Sequence, residues 1–166
     1  AAYARAWFGE GAPMRANALT ATAYMGLGAI RPMIDAAHAY GRQVFVVVRS
    51  SNPEGNAFQT KGEPQVWETL ITEINALNKE LGRSTVGAVV GATQIPELQL
   101  CQQLAPTVPL LCPGLGAQGA DLSELKALSP DLSARMIMPI ARGISSAGRD
   151  KQALTEKVQS WQQALT

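Results

Sequence analysis

The sequence alternates five times between a short apolar segment and a longer segment whose apolar residues recur at helical spacing. The apolar segments predict five strands, at residues 18–22, 44–48, 86–90, 110–112 and 136–140. The intervening segments predict helices; one stripe, for example, consists of Trp67, Leu70, Ile71, Ile74 and Leu77. Strict alternation of strands and helices predicts a parallel sheet, either doubly wound or closed as a barrel.

The residues that follow the predicted strands favour the barrel. Polar residues and glycines gather at 49–55, 91–94, 114–119 and 142–148, as expected when all the loops after the strands form one mouth. A closed barrel of this type needs eight units, whereas this sequence shows five, and it opens with a helical pattern at residues 3–8. We therefore interpret residues 1–166 as a single α/β domain that supplies the C-terminal five βα units of a (β/α)8 TIM barrel.

Composition excludes several classes of protein. The 166 residues suffice for one domain with a substantial core, and the net charge of +1 predicts no nucleic-acid or membrane partner. No apolar run reaches the roughly 18 residues of a spanning helix, and no signal peptide is recognisable at the start. Two cysteines, Cys101 and Cys112, indicate a reducing, cytoplasmic compartment, and the single histidine, His38, predicts no metal site.

A glycine-rich turn follows the fourth predicted strand. Three glycines lie within the six residues 114–119 and allow a sharp bend that exposes backbone N–H groups. Asp121, with Glu124 three residues later, predicts the start of a helix. Strand, turn and helix start together favour an anion-binding site. A dinucleotide fingerprint and a turn without ligand are the alternatives, although the next strand lacks the acidic residue that the fingerprint requires.

Two further loops carry groups suited to a polar ligand. Arg142 stands directly after the fifth strand, and its position predicts a guanidinium that holds phosphate through two parallel hydrogen bonds. Residues 50–53, Ser-Ser-Asn-Pro, follow the second strand and predict either a binding loop or a capped turn.

Taken together, residues 47–55, 89–93, 113–121 and 141–144 resemble orotidine 5'-phosphate decarboxylase, especially its longer bacterial subgroup. The resemblance runs in order from residue 3 to about residue 150. It implies a homodimeric (β/α)8 barrel, a carbon–carbon lyase of de novo pyrimidine biosynthesis. Such an enzyme converts orotidine monophosphate (OMP) to UMP and CO2 without a metal or an organic cofactor.

The resemblance also implies roles for individual residues. It assigns the substrate phosphate to Gln118, Gly119, Arg142 and Gly143. It assigns the pyrimidine pocket to Ser51, Pro113 and Leu115, with Ser51 next to the departing carboxylate.

One feature of the family is missing from this sequence. The family's catalytic motif, Asp-x-Lys-x-x-Asp, places a lysine between carboxylates, where it stabilises and protonates the carbanion. The lysines here are Lys61, Lys79, Lys126, Lys151 and Lys157, and none ends a predicted strand between acids. We expect the catalytic residues upstream of Ala1, in an N-terminal barrel segment, and we expect this chain alone to be inactive. Another phosphate-binding barrel enzyme of the superfamily, or a non-catalytic phosphate-binding or oligomerisation module, is the alternative.

Overall fold

The computed structural model describes residues 2–116 and 119–165, which contain one parallel sheet of five strands. These are β1 (Ala18–Ala21), β2 (Gln43–Arg49), β3 (Val86–Val90), β4 (Leu110–Leu111) and β5 (Met136–Ile137). Their order in the sheet is their order along the chain, and every neighbouring pair is parallel. Right-handed crossovers between strands that always advance in one direction leave the helices on the same face of the sheet. A doubly wound sheet would reverse its order, so the prediction of consecutive βα units of a barrel is confirmed.

The helices alternate with the strands as expected. They are α1 (Ala2–Phe8), α2 (Arg31–Ala39), α3 (Asn56–Gln59), α4 (Val66–Leu81), α5 (Ile95–Leu104), α6 (Leu122–Lys126), α7 (Pro130–Ser133), α8 (Arg142–Ser145) and α9 (Lys151–Leu165). Short 3-10 turns cover Leu27–Ile30 and Pro53–Gly55. In the part of the chain that the structure describes, no helix is both long and apolar enough to cross a membrane.

The longest helix, α4, shows why these segments fold where they do. Gln65 and Glu68 form a capping box at its start, in which the Gln65 backbone N–H donates to Glu68 Oε2 over 2.6 Å. Gly82 ends the helix in the left-handed conformation, with φ at 64°. The predicted stripe faces the core, where Ile71 and Ile74 are fully buried.

The last strand is shorter than predicted. Pairing with β4 stops at Ile137, although the apolar pattern extends to residue 140. Pro139 explains the difference, because proline has no N–H to donate to a neighbouring strand. The fifth strand is therefore an edge strand of two paired residues.

The two faces of the sheet are buried to different degrees. The helix-covered face carries fully buried side chains, namely Val44, Val46, Val48, Val86, Ala88, Val90 and Leu110. The opposite face, which would line the barrel interior, contains Phe45 in register with Gly87. A Cβ on Gly87 would lie 2.4 Å from Phe45 Cε1, so a large ring fills the space that the glycine leaves. Ile137, in register on this same face, is 49% exposed.

The histidine and the cysteines occupy structural positions. His38 Nδ1 lies 2.9 Å from the hydroxyl of the buried Thr85, so the ring is packed beside the amino end of β3. Cys101 and Cys112 are free and buried, and burial raises the pKa of each thiol to about 12. Both thiols therefore stay protonated at neutral pH.

Candidate functional site

The loop after β2 rests against the end of β3. A Cβ on Gly91 would lie 3.0 Å from the backbone nitrogen of Ser51 and 3.2 Å from its Cβ. The Gly91 N–H donates to the Arg49 carbonyl over 2.8 Å. A side chain at position 91 would require Ser51 to shift by a few tenths of an ångström. Gly91 therefore lets Ser51 pack closely against the end of β3, at the mouth of the sheet.

A buried ion pair lies beneath that loop. Arg49, the last residue of β2, is 5% exposed, and its Nε donates to Glu97 Oε1 of α5 over 2.9 Å. Its Nη1 donates to the carbonyl of Ser50 over 3.1 Å. Gln59 Oε1 of α3 accepts from the Ser50 N–H at 3.0 Å. The backbone of Ser50 is thus held at both its N–H and its carbonyl, which fixes the orientation of the adjacent Ser51.

The sequence alone does not single out Arg49, Glu97 and Gln59 as supports of the Ser51 loop. Arg49 carries a signal, since an arginine ending a strand that is apolar on both faces needs a buried acidic partner. Glu97 and Gln59 carry none, because each is an ordinary polar residue of a helix until the fold brings it to β2.

The glycine turn after β4 has the predicted shape. Gly114, Gly116 and Gly119 have φ angles of 136°, 80° and 76°, which residues with side chains rarely adopt. The Ala120 N–H donates to the Gly114 carbonyl over 3.3 Å and closes the turn. A Cβ on Gly119 would meet no described atom within 4 Å. Gln118, the predicted phosphate ligand of this turn, lies outside the described residues.

Asp121 begins α6 as predicted. Its Oδ1 accepts hydrogen bonds from the hydroxyl and the backbone N–H of Ser123, both at 2.7 Å. These two bonds hold the pKa of the Asp121 carboxyl below its usual value. The carboxylate therefore serves as a helix cap that fixes the far end of the glycine turn.

Arg142 is the first residue of α8 and is exposed. Its carbonyl accepts from the Ser146 N–H over 3.1 Å, whereas its guanidinium forms no hydrogen bond or ion pair with the residues that the structure describes and is free to bind an anion. Its neighbour Gly143 touches the glycine turn: a Cβ on Gly116 would lie 3.4 Å from Gly143 Cα. The fold thus brings together the two strand exits that the sequence predicted to hold phosphate.

Pro113 and Leu115, two of the predicted pyrimidine residues, follow β4, which lies in the sheet between β2, the strand before Ser51, and β5, the strand before Arg142. The Ala92 N–H donates to the Pro113 carbonyl over 2.8 Å and links the end of β3 to the end of β4. Pro113 is half-buried, whereas Leu115 is 4% exposed and belongs to the apolar core. Contacts therefore run along the mouth without interruption, from Ser51 past Pro113 to Gly143.

The structure places all five lysines away from the strand ends. Lys79, Lys126, Lys151 and Lys157 belong to helices, and Lys61 lies in a turn after α3. No group of histidine, cysteine or acidic residues that could hold a metal occurs among residues 2–116 and 119–165. Within these ranges the strand exits contribute the free guanidinium of Arg142 but no lysine.

Comparisons with known proteins identify the family of this chain. The family model described as "Orotidine 5'-phosphate decarboxylase / HUMPS family" matches residues 1–157. An orotidine 5'-phosphate decarboxylase of Myxococcus xanthus is 40% identical over 95% of this chain, and one of Salinispora arenicola is 41% identical over 93%. The solved structure of Leishmania donovani OMP decarboxylase is 28% identical, covers 99% of this chain and superposes with a TM-score of 0.75.

Coverage of the relatives is partial. The chain spans 57% and 56% of the two bacterial relatives and 62% of the Leishmania chain, in keeping with five βα units of a barrel. The family match and the identities are nevertheless decisive for ancestry. This chain belongs to the orotidine 5'-phosphate decarboxylase / HUMPS family.

Proposed function

We propose that this chain is the C-terminal part of an orotidine 5'-phosphate decarboxylase, a carboxy-lyase that converts OMP to UMP and CO2. The contact between the glycine turn and Gly143, beside the free guanidinium of Arg142, is the observation that carries the proposal. Two strand exits that meet and offer donors form a suitable cradle for a phosphate monoester.

Each predicted residue has a part in this proposal. The Arg142 guanidinium binds two phosphate oxygens, and the backbone N–H groups of Gly119 and Gly143 donate to the remaining oxygens together with the Gln118 amide. At the other end of the substrate, the Ser51 hydroxyl donates to the pyrimidine beside the carboxylate. Pro113 and Leu115 form the apolar side of the pocket.

The chemical step needs groups that this chain does not place at the mouth. Loss of CO2 leaves a carbanion, which requires a nearby cation and a proton donor. We propose that an upstream barrel segment supplies the lysine and its flanking aspartates. No metal or organic cofactor takes part. The complete enzyme is proposed to be a cytoplasmic homodimer.

Binding of UMP and uridine tests the phosphate site. The protein is a completed barrel, in which the upstream units of a family member are joined to Ala1. We expect Arg142→Ala to weaken UMP binding by about 10- to 100-fold, equivalent to about 1.5–3 kcal/mol for a charged hydrogen-bonded pair, and to leave uridine binding unchanged. Isothermal titration calorimetry measures both affinities.

Arg83→Ala is the matched control, because Arg83 is an exposed arginine directly upstream of β3, at the opposite end of the sheet. It should change neither affinity. Equal UMP affinities in the Arg142→Ala and wild-type proteins would exclude Arg142 from the site. Binding of UMP without turnover of OMP by the completed barrel would favour the non-catalytic alternative.

A further inference from the structure

The indole of Trp161 lies across both turns of the proposed phosphate site. Trp161 belongs to α9, and its Cζ2 lies 3.2 Å from the position of a Cβ on Gly116. The same ring places Cζ2 and Nε1 each 3.3 Å from the position of a Cβ on Gly143. The Trp161 Nε1–H donates to the Gly143 carbonyl over 3.4 Å.

These contacts join three segments that are distant in sequence. A Cβ on Gly116 would lie 3.4 Å from Gly143 Cα, and the ring packs against both glycines. A Cβ on Gly143 would also lie 3.0 Å from Ile140 Cγ2, so the backbone of Gly143 is enclosed by Ile140 on one side and by the indole on the other. The indole therefore packs against both turns at the place where they meet.

Trp161 belongs to a helix whose other side chains are mostly exposed. None of the residues Lys151–Leu165 is fully buried, and Gln152 and Thr155 bond within the helix, to Glu156 and to the Lys151 carbonyl, whereas the Trp161 indole reaches Gly143 outside it. Trp161 is half-buried and also lies beyond residues 1–157, the part that the family model matches.

We propose that Trp161 is a positioning residue that holds the glycine turn and the Arg142–Gly143 turn at the separation needed to bind phosphate from both sides. The inference rests on the proposed function and deepens it. A phosphate bound by donors of two loops is held tightly only if both loops are already in place, because ordering them on binding costs entropy. Trp161 does not touch the ligand; it acts through Gly116 and Gly143.

This role differs measurably from simple anchoring of α9. Anchoring would affect the stability of the protein and would weaken all ligands of the mouth alike. Positioning affects the part of the affinity that the phosphate adds, which is the ratio of uridine to UMP dissociation constants.

Substitution of Trp161 in the completed barrel tests the inference. We expect Trp161→Leu to reduce the ratio of uridine to UMP dissociation constants about tenfold or more, since small displacements of binding groups have effects of this order. Trp161→Phe keeps a flat ring against both glycines and should retain most of the ratio. Val158→Ala, another apolar position of α9 that is exposed, is the control and should leave the ratio unchanged. An unchanged ratio in a folded Trp161→Leu protein would overturn the inference.

Fluorescence of the wild-type protein provides a second measurement that does not depend on the folding of the leucine variant. UMP should change the tryptophan emission, uridine should not, and the change should disappear in Trp161→Phe. An emission that responds equally to UMP and uridine, or not at all, would overturn the inference. A wild-type protein that binds uridine and UMP equally well would instead contradict the proposed function itself, and with it this extension.

Discussion

At the scale of single residues, the buried pair of Arg49 and Glu97 supports the loop that carries Ser51. We expect Glu97→Gln to lower the free energy of unfolding by about 3 kcal/mol, because it leaves the Arg49 charge buried without its partner. Urea unfolding measures the change.

Glu80→Gln is the matched control, since Glu80 pairs with Arg31 over the same 2.9 Å but its side chain is 61% exposed. That exposed pair should contribute much less, because water and salt screen it. Equal losses in the two variants would show that the Arg49 pair is screened by water.

At the scale of elements, the interior face of the sheet depends on a large ring packed over a glycine. Gly87→Ala places a Cβ 2.4 Å from Phe45 Cε1 and 3.0 Å from the Pro109 carbonyl oxygen, so we expect a loss of about 1–3 kcal/mol from overpacking. Phe45→Leu should relieve part of that loss, giving a double variant more stable than the sum of the single changes predicts. Gly28→Ala, where an added Cβ meets no described atom within 4 Å, serves as the control. Strict additivity of the two changes would contradict the packing that we describe.

Strands and local turns of this chain can be predicted from the sequence, whereas contacts between distant elements cannot. The runs in β2 and β3 are predictable because β-branched residues buried on both faces have few other uses. The turn at Gly114 and the cap at Asp121 are predictable because both rely on neighbours in sequence. The pairing of Arg49 with Glu97 is not, since 48 residues separate them and only the fold brings them together. The contact between Trp161 and Gly143, which are 18 residues apart, is unpredictable for the same reason.

At the scale of the whole molecule, the sheet ends in two unpaired edges, β1 and β5, within the described residues. Ile137, on the interior face of β5, is 49% exposed and lacks the cover that a closed barrel gives. An unpaired parallel edge over an apolar core promotes association, so we expect other protein to cover these edges. We therefore propose that this chain supplies the contacts to the phosphate and the pyrimidine. Decarboxylation then requires the residues of the upstream segment that completes the barrel.

Turnover of OMP most directly tests the proposal that this chain binds the substrate while an upstream segment supplies the catalytic lysine. The loss of OMP absorbance is followed with the isolated chain, and with the chain supplied with the upstream barrel segment that carries the Asp-x-Lys-x-x-Asp motif. We predict no decarboxylation above background by the chain alone, because no lysine lies at a strand end and water screens the open mouth. We predict turnover when the segment is added. Turnover by the isolated chain that disappears on substitution of one of its own five lysines would contradict the account.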